Sequence, residues 1–117
     1  MSRDLDSLTD ILDAAQKIRL YIQGMDEAAF QNDSKTQDAV VRCLEIIGEA
    51  TKRLSPELRA HYPQVPWQAM AGMRDILIHA YDKVDLATVW ETSTKSVPTM
   101  QASVALVIAD LSQEDTE

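Results

Sequence analysis

A chain of 117 residues, 45% hydrophobic and 26% charged, is long enough to bury one core without staples, and residues 1–117 are expected to form a single domain. A formal net charge of −8 excludes a general nucleic-acid binder with a broad basic face, so any RNA contact must be local or built on assembly. Three glycines and four prolines leave little material for the turns of an all-β fold, and a single cysteine excludes an intrachain disulfide or a Cys-based zinc site.

In chain order, Leu5, Leu8, Ile11, Leu12, Ala15, Ile18 and Ile22 recur at three- and four-residue intervals and predict a first helix over residues 4–23. Asp4, Asp6, Asp10 and Asp13 crowd its first half, Lys17 and Arg19 follow, and this order suits the helix dipole. Gly24 is a natural stop. Residues 26–31 suit a short helical turn anchored by Phe30. Ser34 and Gln37 have capping-box spacing, which predicts a second long helix opening at Ser34. Val40, Cys43, Ile47, Ala50 and Leu54 form its buried stripe, widened by Val41, Leu44 and Ile46, so Cys43 reads as a small buried hydrophobe. Asp38, Arg42, Glu45, Glu49 and Lys52 form a charged row, with Asp38–Arg42 and Glu49–Arg53 as the expected pairs. Gly48 in mid-helix suggests close approach by a neighbour.

Pro56, Pro63 and Pro66 punctuate residues 55–66, which read as a loop. Pro66 is placed to start a third helix near Trp67. Trp67, Met70, Met73, Leu77, Ile78 and Tyr81 give that helix its apolar character. Asp85 is an expected cap for a fourth helix, and Pro98 either starts a fifth or kinks the fourth. Val97, Val104, Ile108 and Leu111 continue the core, and the acidic end from about residue 112 is expected to fray. The sum is all-α: a four- to five-helix up-and-down bundle. No apolar run would span a bilayer and no signal peptide is apparent, so a cytoplasmic location is expected.

One stretch breaks the pattern of apolar stripe and solvated face. Within nine residues, Met73 to Tyr81 offers a guanidinium, a carboxylate, an imidazole and a phenol: Arg74, Asp75, His79 and Tyr81. At about 100° per residue, Arg74 and Tyr81 fall nearly in line, while His79 is roughly 140° from Arg74. One straight helix does not bring that pair onto one small substrate. Either the helix ends near Ile78 and His79 swings round, or two copies meet and share a cleft. A purely structural reading is also open: Arg74 pairs with Glu49 or Asp75, and His79 sits favourably at a helix C-terminus.

The other candidates are weaker. Glu45 and Glu49 have no histidine at the spacing of a di-iron bundle. His61 lies between Pro56 and Pro63 and receives no role. Trp67 and Trp90 read as core anchors. The sequence offers no Gly-rich phosphate loop and no convincing Ser-His-Asp set.

Arg74-x4-His79-x-Tyr81 resembles the signature of the HEPN superfamily, in its HepT-like branch. Ile46-Ile47-Gly48-Glu49-Ala50 is similar to a segment of that branch's second long helix. Pro66-Trp67, Met73-Arg74-Asp75, Val84-Asp85-Leu86 and Val89-Trp90-Glu91 repeat its later run in order, and the resemblance extends from Leu5 to Leu111.

The resemblance implies a HEPN-like helical bundle that is the toxin of a type VII-like toxin–antitoxin pair. It implies a homodimer whose two Arg/His motifs line one cleft, cleaving RNA (tRNA or mRNA) with neither metal nor cofactor. Arg74 and His79 are then catalytic, and Asp75 and Glu49 supporting. An unperturbed imidazole titrates near neutrality and suits an acid or base; a guanidinium fork suits phosphoryl oxygens. Tyr81 is then the site at which a minimal nucleotidyltransferase antitoxin, MntA-like, attaches AMP, adding bulk and negative charge beside the cleft. Two alternatives stay open: a non-catalytic nucleotide- or partner-binding subunit of a nucleotidyltransferase complex, which the net charge favours, and a plain structural dimer.

Overall fold

The computed structural model describes residues 2–79 and 85–116, with the side chains of residues 3–73 and 85–113. All regular structure among them is helical: α1 (Ser2–Tyr21), α2 (Glu27–Gln31), α3 (Ser34–Lys52), α4 (Pro56–His61), α5 (Trp67–His79), α6 (Leu86–Glu91), a π-helical turn (Thr92–Ser96) and α7 (Val97–Thr116). The fold is the all-α bundle expected. α3 is central, packed on α1 along one side and α5 along another, while α7 covers α1.

The core follows the stripes. Leu8, Ile11, Ala15 and Ile18 of α1 meet Val40, Cys43, Leu44, Ile47 and Ala50 of α3, with Met100, Val104, Val107 and Leu111 from α7, all buried. Each large aliphatic side chain buried this way contributes about 1.5–3 kcal/mol. Gly24 closes the α1 turn with φ +79°, a backbone region glycine enters without steric cost. Phe30 is completely buried and its ring lies 5.3 Å from that of Trp90, so five residues of helix suffice to plug the bundle's side.

Four local expectations are corrected. α3 is capped by Asp33 rather than by a Ser34–Gln37 box: the Asp33 carboxylate accepts from the Thr36 amide at 3.1 Å and from the Thr36 hydroxyl at 2.8 Å. Gln37 instead donates to the Phe30 and Gln31 carbonyls, tying α2 to α3. Carboxylates accept more strongly than hydroxyls, and the adjacent Asp took the cap.

Residues 55–66 are not all loop. Ser55 caps α4 by accepting from the Leu58 amide at 3.2 Å, and Pro56 fills the first helical position, where its missing N–H costs nothing. Ser55 is itself held by Asp4 of α1. The Ser55 amide and hydroxyl donate to the two carboxylate oxygens at 2.9 and 2.7 Å, which explains a carboxylate only 6% exposed.

At Pro98 the chain neither stops nor restarts. Helical backbone runs unbroken from Leu86 to Thr116, and the turn before Pro98 is widened so that the Val97 amide donates to the Thr92 carbonyl, five residues back. The π turn absorbs the proline's bulk and missing donor. It also leaves the Ser93 hydroxyl buried without a partner.

The charged row of α3 is stitched differently from the expected i,i+4 pairs. Arg42 meets Glu45 at 3.4 Å, and Arg53 reaches across to Asp10 of α1 at 3.3 Å. All four side chains are partly or largely exposed, so each pair contributes at most about 1 kcal/mol.

Candidate functional site

α5 carries the Arg/His motif, and its beginning is firmly seated. Pro66 precedes the first helical residue, Trp67 is 5% exposed, and its indole N–H donates to the Tyr62 carbonyl at 2.9 Å. Met70, one turn on, is buried, and Met73 is half-buried against the core. Burying an indole costs little when its one donor is satisfied. These contacts set the axial position and rotation of α5 on α3, and with them the backbone positions that follow.

Arg74, Asp75 and His79 all lie within α5. Helical backbone is described as far as His79, one residue past Ile78. Five residues of α-helix separate the Arg74 and His79 backbones by about 7.5 Å of rise and roughly 140° of rotation. The side chains of Arg74, Asp75 and His79 lie outside the described residues, as does Tyr81 altogether. Glu49 is half-buried on α3, the helix packed against α5, directly after the buried Gly48.

On the far side of residues 80–84, the chain is anchored by Asp85. Its carboxylate accepts from the Thr88 hydroxyl at 2.7 Å and the Thr88 amide at 3.2 Å, capping α6. Those bonds, the hydroxyl's first, hold the Asp85 carboxyl below the usual carboxylate range, because they favour the ionised form. Asp33 is lowered for the same reason, with the Thr36 amide as the larger cause. Cys43 goes the other way: burial pushes its thiol up despite the cations of Lys17 and Arg42, which makes it inert. Among the described residues no group of three or more His, Cys, Asp or Glu side chains comes together to hold a metal ion, and no helix is long and apolar enough to cross a membrane.

Two elements away from the motif escaped sequence reasoning. One is the α1–α4 link through Asp4 and Ser55; the signature Ser55-Pro56-Glu57, cap then proline then acid, was there to be read. The other is Arg59. Its Nη2 donates to the Leu54 carbonyl at 3.0 Å, and among the described residues its buried Nε has no acceptor and no carboxylate pairs with it. No sequence signal distinguishes such an arginine from a solvated one.

Comparison with known proteins converges on one family. The family described as "Ribonuclease HepT-like" matches residues 11–107. A Methanocaldococcus jannaschii protein named "Putative RNase" is 41% identical over 113 residues, covering 96% of this chain and 97% of its own length. A second protein of that organism, with the same style of name, is 40% identical over 114 residues, covering 97% and 94%. A Thermococcus cleftensis protein named "Probable ribonuclease HepT" is 42% identical over 96 residues, covering 82% and 87%. No solved structure matches the chain.

Proposed function

The chain belongs to the HepT-like ribonuclease family, and we propose that it is a toxin that cleaves RNA without a metal, at a cleft shared by two copies. The observation that carries the two-copy reading is the helical backbone through His79. It keeps Arg74 and His79 on diverging sides of α5, and a two-fold pairing of α5 sets the arginine of one chain near the histidine of the other.

At such a cleft, His79 takes the proton from the ribose 2′-OH as the oxygen attacks the adjacent phosphorus. The P–O bond to the next nucleotide breaks, and the leaving 5′-oxygen collects a proton from water, to which His79 returns the proton it took. The products are a cyclic phosphate and a 5′-hydroxyl. Arg74 stabilises the charge that gathers on the phosphoryl oxygens, with donors already oriented for it. Asp75, next to Arg74, and Glu49, on the helix that supports α5, are its positioning residues. Tyr81, two residues past His79, is the control point. AMP attached there by a partner nucleotidyltransferase antitoxin places a bulky anion where RNA must enter, and activity stops.

The test is cleavage of labelled RNAs, tRNA among them, by unmodified protein in a chelator, beside His79→Ala prepared identically. Cleavage by the wild type alone, leaving cyclic-phosphate ends, is the expected result. Equal cleavage by both proteins removes His79 from the chemistry. Silence from both, with Tyr81 unmodified by mass, favours a non-catalytic subunit of a nucleotidyltransferase complex, the reading to which the net charge of −8 leans.

A further inference from the structure

An acidic ribonuclease must hold its anionic substrate with few cations, so the state of each cation matters. Of the arginines whose side chains are described, Arg42 and Arg53 meet carboxylates, Arg19 donates to Gln101, and Arg3 is exposed on the first turn of α1. Arg59 differs from them. It is half-buried and held by the Leu54 carbonyl, yet among the described residues no carboxylate compensates its charge. It borders an open hollow whose other walls include Pro63, Pro66, Trp67 and Gln68. None of the acidic side chains among the described residues lines this hollow.

We propose that this hollow is a second RNA-binding subsite, taking a phosphate on the Arg59 guanidinium and the attached nucleoside against the proline walls; it rests on the ribonuclease reading above. The chemistry fits single-stranded RNA. A base sits against flat apolar surface or a guanidinium plane, and a cation beside it takes the phosphate. Because the Leu54 carbonyl already holds Arg59, little side-chain freedom is lost on binding. Gln68, exposed at the rim, supplies amide donors and acceptors without adding charge.

Position adds direction. The hollow lies at the first turn of α5 and the motif at its last, with about 18 Å of helix between Trp67 and His79. The subsite therefore grips the strand several nucleotides from the bond that breaks, and the RNA runs along α5. Binding energy collected so far from the reacting phosphate favours long substrates over short ones.

The experiment uses His79→Ala protein, so that RNA survives, and follows a labelled single-stranded RNA by fluorescence anisotropy across salt. Arg59→Gln and, separately, Gln68→Glu are introduced, with Lys35→Gln as a charge-matched change elsewhere. Gln68→Glu alters an exposed position and keeps the fold; thermal unfolding checks this for Arg59→Gln. The expected result is several-fold weaker binding for both site variants. For Arg59→Gln the slope of log affinity against log salt should also be shallower by about 0.7, one lost phosphate contact. Lys35→Gln should leave the slope unchanged. Equal losses for Lys35→Gln and Arg59→Gln, or unchanged affinity in both site variants, overturn the subsite. No RNA binding by the His79→Ala parent overturns the ribonuclease reading itself, and the subsite with it.

Discussion

α3 and α5 are both largely apolar helices packed against each other, and they handle their polar residues in opposite ways. α3 separates them: Val40, Cys43, Leu44, Ile47 and Ala50 face the core, while Arg42 and Glu45 pair on the outside. α5 begins the same way, with Trp67 and Met70 buried, and then places Arg74, Asp75 and His79 inside the apolar run. The first pattern is what folding alone asks of a helix. The second sets charged and titratable residues within an apolar run, and breaks of a local rule concentrate at functional sites.

If that contrast is sound, changes on α5 should remove function and changes elsewhere should remove stability. The largest effect is expected from Arg74→Ala or His79→Ala, each lowering RNA cleavage by about 10²–10⁴-fold while the thermal midpoint stays close to wild type. A large loss of stability in either would place them with the structural residues instead. Phe30→Ala should do the reverse. Removing a fully buried ring packed at a tilt against Trp90 should cost about 3–5 kcal/mol by denaturant titration and leave cleavage by the folded fraction intact.

Smaller effects sharpen the picture. Ser55→Ala loses the α4 cap and one of the two hydrogen bonds to the Asp4 carboxylate, a loss of about 1–2 kcal/mol. Asp33 and Asp85 have folded-state pKa values below the ordinary 3.8. Their stabilisation is therefore present above that value and lost as pH falls through the lowered folded values. Replacing both with Asn, which caps without titrating, should flatten the acid limb of a stability–pH curve slightly. Ser93→Ala should be neutral or mildly stabilising, since its buried hydroxyl has no partner to lose.

The helices and most of the core were legible because period and burial obey one rule in a bundle: Leu8, Ile11, Ile47 and Val104 sit where their spacing places them. Gly24 and Asp85 were legible for the same reason, since turns and caps are local. The exceptions depend on competition or on distance. Asp33 outcompeted Ser34 for the α3 cap, and the Pro98 bulge was taken up by a π turn rather than a break. The Asp4–Ser55 link joins residues 51 apart, which periodicity cannot see. The Arg/His motif was visible as a spacing, but spacing also showed that one helix would not bring its two residues together. A shared site is a property of an assembly, and no single-chain pattern encodes it.

That shared site is the central claim, and complementation tests it most directly. Arg74→Ala and His79→Ala chains, carrying different tags, are coexpressed and purified through both tags so that only mixed dimers remain. In a shared cleft, the histidine of one chain meets the arginine of the other, and the mixed dimer regains cleavage that neither parent shows. If each chain builds its own site, every site in the mixed dimer lacks one residue. A silent mixed dimer would contradict the account.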